Sequence, residues 1–131
     1  MIKLVFCCHR RSDLSRAEFQ DYWLNAHAKL VESVHEHFPQ MIRYVQSHTI
    51  TIHSAADNVS DDVKSARNEM AEPFDGITEI WLDTSLSRPQ SDEIVAASRR
   101  LVEDEHKFID FSRSTVFYTE EHEIFNDRSP A

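Results

Sequence analysis

Four segments rich in β-branched and aromatic residues alternate with two amphipathic helical segments, and their order limits the chain to few folds. The strand-like segments are residues 2–8, 41–52, 74–83 and 115–125, and the helical segments are residues 15–34 and 91–105. The order β-α-β-β-α-β is that of the ferredoxin-like plait, in which two helices cover one face of a four-stranded antiparallel sheet. We therefore predict an α+β fold of this type.

The first helix carries clear start and stop signals. Ser15 and Glu18 form the S-x-x-E pattern of a capping box, and Pro39 lies beyond the last apolar position at helical spacing. At 100° per residue, the expected apolar stripe is Phe19, Trp23, Ala26, Leu30 and Val34. The second helix is expected to present Ile94, Val95, Ser98, Leu101 and Val102 on one side. The polar stretch 53–73 predicts a long loop, with a short helix after Ser60.

The length predicts one domain over residues 3–125, followed by a frayed tail over residues 126–131. Apolar residues also point to the sheet face that the helices do not cover. Two copies could cover these residues by packing their sheets across a twofold axis, so we expect a homodimer.

The composition disfavours several classes of partner. The formal charge of −9, from 23 acidic and 14 basic residues, argues against nucleic acid and anionic membranes. No apolar run approaches the roughly 20 residues of a membrane helix, and the N-terminal MIKLVFCC lacks a cleavage pattern, so we expect a cytoplasmic protein. Cys7 and Cys8 are adjacent in a predicted strand and point to opposite faces, which indicates two reduced thiols.

Cofactor and metal sites also lack their sequence signals. The chain has a single glycine, Gly76, whereas phosphate-binding loops need several glycines close together. The eight histidines show none of the spacings of H-E-x-x-H or of facial-triad sites, and there is no nucleophile-elbow pattern. We therefore predict neither a cofactor nor a metal.

His27 is the unusual residue of the first helix, because it lies beside a stripe of aromatic and aliphatic side chains. One interpretation is a core histidine whose ring nitrogen is satisfied by a hydrogen bond. The other is an imidazole held in a dry pocket between helix and sheet, where it exchanges protons with a ligand.

The predicted strands add polar groups at alternating positions. Tyr44, Gln46 and His48 share one face of the second strand, and Asp75, Ile77, Glu79 and Trp81 share one face of the third. Removing a carboxyl group from water favours its protonated form, so Glu79 among apolar neighbours is a candidate acid or base. The alternative for Glu79 is a buried ion pair with Arg43 or Arg10.

The segment SRRLVEDEHKFIDF, residues 98–111, combines a charged run with apolar residues. The charges are typical of a solvated helix face. Phe108 is either a packing residue or a wall of the pocket, if the segment folds back over the sheet.

The stretch LVFCCHRRSDLSRAEFQDYWLNAHAKLV resembles the EthD domain family, as do FDGITEIWLD, EDEHKFIDF and TEEHEIF, which follow in the family's order. The resemblance implies a dimeric α/β barrel with a pocket between sheet and helices in each protomer. It also implies a small enzyme without a cofactor, similar to dehydratases of aromatic polyketide pathways and to lactone isomerases. By motif position, the family's site residues correspond to Tyr22, Trp23, His27, Asp75, Glu79 and Trp81.

These observations lead to the hypothesis of a cofactor-independent lyase or isomerase for a small aromatic, lactone or polyketide-like substrate. His27 would be the general base, and Glu79 or Tyr44 would protonate the leaving oxygen or the enolate. Gln46 and Arg10 would stabilise negative charge, while Trp23 and Trp81 would stack on the substrate. The other predicted substrate-binding residues are Tyr22, Asp75 and Phe108.

Two other classes of function are compatible with the same features. The first is a monooxygenase, either cofactor-free or haem-linked, and the second is a non-catalytic binder of a hydrophobic small molecule. The sequence does not distinguish dehydration from isomerisation, because both begin with loss of a proton next to a carbonyl.

Overall fold

A computed structural model describes residues 1–60 and 62–128 and confirms the predicted order of the main elements. The strands are β1 (Ile2–Cys8), β2 (Met41–His48), β3 (Gly76–Leu82) and β4 (Thr115–Thr119). The helices are α1 (Arg16–Tyr22), α2 (Ala28–Val34), α3 (Ser54–Asp57), α4 (Asp62–Ser65) and α5 (Asp92–Glu105). Of the tail predicted to fray, residues 129–131 lie outside the described residues.

The four strands form one antiparallel sheet in the order β2-β3-β1-β4, which confirms the predicted ferredoxin-like plait. Three strands, β2, β3 and β4, are shorter than predicted, and the register gives the reason for the end of β2. β2 ends where His48 faces Gly76, the first residue of β3, and β4 ends at Thr119, which faces Lys3 near the start of β1. Beyond His48 the neighbouring strand β3 supplies no further partners for β2.

The first helix begins with the predicted capping box. The Ser15 hydroxyl accepts from the Glu18 backbone N–H at 3.1 Å, and the Glu18 carboxylate accepts from the Ser15 N–H at 3.0 Å. The helix then continues through a π-helical segment, Trp23–His27, into α2. In this segment the N–H of Ala28 reaches back to the carbonyl of Trp23, five residues earlier.

The π-helical segment changes which side of the helix faces the sheet. The buried residues are Phe19, Trp23, His27, Val31 and Val34. In a regular α-helix, each four-residue step drifts by about 40° around the axis. The wider turn reduces this drift and keeps His27 on the buried stripe, whereas Ala26, predicted to be buried, is exposed.

Helix α5 begins at the Ser91 cap, where the hydroxyl accepts from the Ile94 N–H at 3.2 Å. Its buried side is formed by Ala97 and Asp104 and is continued by Phe108 after the helix ends. The predicted side was partly wrong, because Ser98, Val95 and Val102 are exposed.

The core lies between β1 and the two helices and consists of Cys8, Phe19, Trp23, Phe108 and Ile109. Both cysteines are free and buried, as predicted, and burial raises the pKa of the Cys8 thiol. No helix within the described residues is long and apolar enough to cross a membrane.

Asp75 joins the end of the sheet to the start of the first helix. Its side chain is 1% exposed and accepts from the Arg10 backbone N–H at 2.8 Å. The guanidinium groups of Arg10 and Arg16 donate to it at 2.9 and 3.0 Å. Burial raises the pKa of Asp75, but these donors outweigh burial and leave the pKa lowered overall. The cluster therefore holds a charged carboxylate as a structural link.

We predict that Gly76→Ala destabilises the protein, because Gly76 lies against the buried ring of Trp23. A Cβ at residue 76 would be 2.6 Å from Trp23 Cη2 and 2.9 Å from the Ser47 carbonyl oxygen. The expected loss in the free energy of unfolding is about 2 to 3 kcal/mol, measured by urea denaturation. In a double-mutant cycle, Trp23→Phe should cost less in the Gly76→Ala background than in the wild type. Equal costs would contradict the steric cause.

We also predict that Asp75→Asn lowers the free energy of unfolding at pH 7 by about 3 kcal/mol, because it leaves the arginines without a charged partner. The folded-state pKa of Asp75 is depressed, so its stabilisation is present above the unfolded-state pKa of about 3.9 and is lost as pH falls through the folded value. Urea denaturation between pH 2 and 7 should show the two proteins converging in acid. The matched control is Asp13→Asn, which alters the exposed Arg11–Asp13 pair; an equal effect of both substitutions would contradict the prediction.

Candidate active site

Side chains from the first helix and from α5 meet on the helix-covered side of the sheet, at the end of the π-helical segment. His27 ends that segment, Tyr22 precedes it, and Asp104 and Glu105 are the last residues of α5. His27 is 4% exposed and Asp104 is 8% exposed, so this polar cluster lies largely inside the protein.

Asp104 orients the imidazole of His27. The Nδ1 atom of His27 lies 2.8 Å from Asp104 Oδ2, and the Tyr22 hydroxyl donates to Asp104 Oδ1 at 2.5 Å. Lys107 Nζ also lies 3.4 Å from the same Oδ1 atom. A carboxylate only accepts hydrogen bonds, so His27 Nδ1 must carry a proton. The lone pair of the neutral imidazole is therefore on Nε2.

The electrostatic environment keeps this arrangement ready to accept a proton. Burial lowers the pKa of His27 below its usual value, and the opposing contact with Asp104 does not fully offset burial. Burial raises the pKa of Asp104, but hydrogen bonds from Tyr22 and His27 outweigh it and the net pKa is lowered. Near neutral pH the pair is thus a neutral imidazole beside a carboxylate.

Glu105 stands on the opposite side of the imidazole. Its Oε2 atom lies 4.0 Å from His27 Nε2, and its side chain is 21% exposed, compared with 5% for His27. Burial, with a smaller contribution from the charge of Asp104, raises the pKa of Glu105 to about 7. Glu105 is therefore partly protonated at neutral pH, unlike an ordinary surface glutamate.

Aromatic rings enclose the imidazole. The Phe108 ring, which is fully buried, has its centroid 5.1 Å from that of His27 and 5.2 Å from that of Tyr22. Trp23 is 1% exposed and stacks on His48 with a centroid distance of 4.4 Å. The structure thus places the predicted residues Tyr22 and Phe108 against or near His27, with Trp23 one helical turn away.

Tyr44 and Gln46 lie on the helix-facing side of β2, but Gln46 has other partners than predicted. Its amide nitrogen donates to the Trp23 carbonyl at 2.9 Å and to the Tyr44 hydroxyl at 3.1 Å, and its amide oxygen lies 2.8 Å from His48 Nε2. Both N–H donors of the Gln46 amide are thus engaged, which argues against its predicted role of stabilising negative charge on the substrate. Gln46 instead ties the π-helical segment to β2.

Glu79 and Trp81 are on the opposite face of the sheet from His27, so their predicted place beside it is wrong. Glu79 faces Val5 and Val45 across the ladder, and its carboxylate accepts from Lys3 at 2.7 Å. Trp81 lies beneath the Arg43 guanidinium at 4.3 Å. Of the two interpretations of Glu79, the structure supports the ion pair. Its partner is Lys3 and not Arg43 or Arg10.

Arg10 and Asp75 also have structural partners. They bond to each other at the end of the sheet, and Arg10 additionally donates to the Leu14 carbonyl at 2.9 Å. The structure therefore does not bring these two predicted substrate-binding residues together with His27.

Neither of two cavities in the described part of the chain is the predicted pocket beside His27. A cavity of about 200 Å³ lies between α2 and the edge strand β2, where it is lined by Ala28, Val31, Glu32, His35, Met41, Ile42, Arg43 and Tyr44. A second, polar cavity is lined by Arg11, Ser12, Asp13, His106, Ile109, Asp110 and Phe111. His27 lines neither cavity, whereas its neighbour Ala28 and the predicted acid Tyr44 line the first.

The acidic partners of His27, Asp104 and Glu105, were not predicted from the sequence, because the charged run EDEHKF is typical of a solvated helix face. A signal was present in the spacing. Asp104 follows the buried Ala97 by seven residues and precedes the buried Phe108 by four, which places it on the same side of the helix. Among the described residues, no group of three or more His, Cys, Asp or Glu side chains is arranged so that it could hold a metal ion.

Comparisons with known proteins agree with this architecture. The family model of the EthD domain matches residues 11–112. A crystal structure of an ethyl tert-butyl ether D (EthD) family protein from Bacillus halodurans C-125 aligns with a TM-score of 0.54 at 17% identity, over 93% of this chain and 99% of that one. The solution structure of a hypothetical Arabidopsis thaliana protein aligns with a TM-score of 0.51 at 14% identity, over 95% and 91% of the two chains. A search of curated proteins gave no match.

The structural similarities support the fold. The family model establishes the relationship, because it covers most of the chain, including His27, Asp104 and Glu105. The chain belongs to the EthD domain family.

Proposed function

We propose that this chain is a cofactor-independent lyase or isomerase that moves a proton at a carbon next to a carbonyl group. The substrate class is a small, partly apolar, oxygenated molecule such as an aromatic ketone, a lactone or a polyketide-like enol. The observation that carries the proposal is the buried contact of 2.8 Å between His27 Nδ1 and Asp104, which leaves Nε2 as a proton acceptor.

The Asp104–His27 pair would supply the base. Transfer of a substrate proton toward Nε2 converts the imidazole to an imidazolium, and the neighbouring carboxylate stabilises that charge. The Tyr22 hydroxyl holds Asp104 in place from the other side. Surrounding aromatic rings keep water away, which strengthens these electrostatic interactions.

Tyr44 is the proposed acid that protonates the enolate or the leaving oxygen. Burial raises the pKa of Tyr44, so its hydroxyl keeps its proton at neutral pH. Its side chain also lines the cavity between α2 and β2, whose apolar residues suit a hydrophobic substrate. Dehydration and isomerisation would differ only in where the second proton is delivered.

A second candidate function is non-catalytic binding of a hydrophobic small molecule. The observation that favours it is that His27 does not line the cavity between α2 and β2. A ligand that binds there without any proton exchange would support this function over catalysis.

A homodimer is part of the proposal. Val5, Val45, Ile77 and Phe117 share the sheet face opposite the helices, and Phe117 is 44% exposed. Pairing of two such faces would bury them. We expect sedimentation equilibrium to give the mass of two chains, and Phe117→Glu to shift the equilibrium toward the monomer. A monomeric wild type at micromolar concentrations would contradict this prediction.

We predict that His27→Gln abolishes proton abstraction while the protein remains folded. The substrate proton can be followed without knowing the final product, by incubating the enzyme with candidate ketones and lactones in D₂O. Proton NMR then reports loss of the signal from hydrogen next to the carbonyl. The variant should exchange this hydrogen about 10² to 10⁴ times more slowly than the wild type.

The matched control is His48→Gln, which alters another partly buried histidine at a distance from Asp104. The control should keep most of the exchange rate. Exchange by His27→Gln at the wild-type rate would remove the proposed base, whereas binding without exchange by the wild type would favour the non-catalytic function.

A further inference from the structure

We infer that Glu105 relays protons between His27 and the ligand, a role that rests on the proposed function. His27 is nearly enclosed and lines neither cavity, so a substrate cannot easily touch its Nε2 atom directly. Glu105 is the acidic group next to Nε2, at 4.0 Å, and it is the more exposed of the two side chains.

The contacts of the imidazole leave one direction for proton exchange. Nδ1 is engaged with Asp104, and the Phe108 ring packs against His27 with a centroid distance of 5.1 Å. Nε2 faces the carboxyl group of Glu105. A separation of 4.0 Å is longer than a hydrogen bond. A side-chain rotation that moves the Glu105 carboxyl group by about 1 Å would bring Oε2 within hydrogen-bond distance of His27 Nε2.

The groups around Glu105 come from four parts of the fold. Asp104 precedes it on α5, His27 faces it from the π-helical segment, Tyr44 comes from β2 and Cys8 from β1. Burial raises the pKa of both Tyr44 and Cys8, and the charge of Glu105 adds to the rise in each case.

The relay can be written with all protons accounted for. The Glu105 carboxyl proton moves to His27 Nε2 and leaves a carboxylate beside an imidazolium that Asp104 stabilises. The carboxylate oxygen then takes the substrate proton, and the electron pair of the broken C–H bond becomes the enolate. In isomerisation the Tyr44 hydroxyl protonates the enolate at another carbon, and in dehydration it protonates the departing hydroxide, which leaves as water. Glu105 then returns a proton to the Tyr44 oxygen, and His27 Nε2 returns its proton to the Glu105 carboxylate, which restores the resting state.

The partly protonated state of Glu105 near neutral pH suits this role. Its pKa of about 7 allows the same group to hold a proton at rest and to accept one during turnover. A purely structural glutamate at the end of α5 would need no protonation near neutrality.

The test is a pH titration of the His27 ring by NMR in the full-length protein. The His27 ring should sense the charge that Glu105 gains near pH 7, and Glu105→Gln should remove this titration step from the His27 signals. The matched control, Glu103→Gln, changes an exposed neighbour on the same helix and should leave the His27 titration unchanged. Identical His27 titrations in the wild type and Glu105→Gln would overturn the inference.

Glu105→Asp provides a second variant, because it keeps the charge but withdraws it by one methylene group. It should retain the two-step titration, with a smaller change of the His27 signals in the step near pH 7. If the wild type exchanges no substrate hydrogen in D₂O, the proposed function fails, while the titration still decides whether Glu105 and His27 share protons. If exchange occurs, Glu105→Gln should slow it at least tenfold, with Glu103→Gln as the unaffected control.

Discussion

The buried contact between His27 and Asp104 is the interaction on which the rest of the site depends. It joins the first helix to the last turn of α5 across the top of the sheet, with Nδ1 2.8 Å from Oδ2. A carboxylate removed from water is costly unless it is fully hydrogen-bonded. Tyr22 satisfies the second oxygen, so the two helices are held together by a network that also fixes one imidazole tautomer.

The π-helical segment gives this contact its geometry. An extra residue per turn costs some helix stability, and such segments are frequently found at functional sites. Here the wider turn keeps Trp23 and His27 on the same buried side of the helix, because it reduces the drift of about 40° that a four-residue step of a regular α-helix adds. Gln46 donates to the carbonyl of Trp23 at 2.9 Å, so an edge strand supports the irregular backbone from below.

Local patterns allowed the fold to be predicted because each element carries its own signal. Ser15 and Ser91 mark both helix starts, and the order of strands leaves few topologies. The end of β2 was misplaced because it depends on where the neighbouring strand begins, which is a tertiary property. The π-helical segment has no recognisable local signal, and it displaced Ala26 from the predicted stripe.

The site was only partly predictable for a similar reason. Helical spacing brought Tyr22, Trp23 and His27 to one region, but strand alternation shows only which residues share a face. Both faces of this sheet carry apolar residues, so the pattern around Glu79 did not reveal that it points away from the helices. Asp104 was hidden within a charged run, although its spacing from Ala97 and Phe108 placed it on the buried side.

The central claim is that His27 is a neutral imidazole with its proton on Nδ1 and a free lone pair on Nε2. The most direct measurement is the ¹⁵N NMR spectrum of the His27 ring at pH 7. We expect a protonated Nδ1 and an unprotonated Nε2. A proton on Nε2 with Nδ1 unprotonated, or an imidazolium protonated at both positions, would contradict the proposed base.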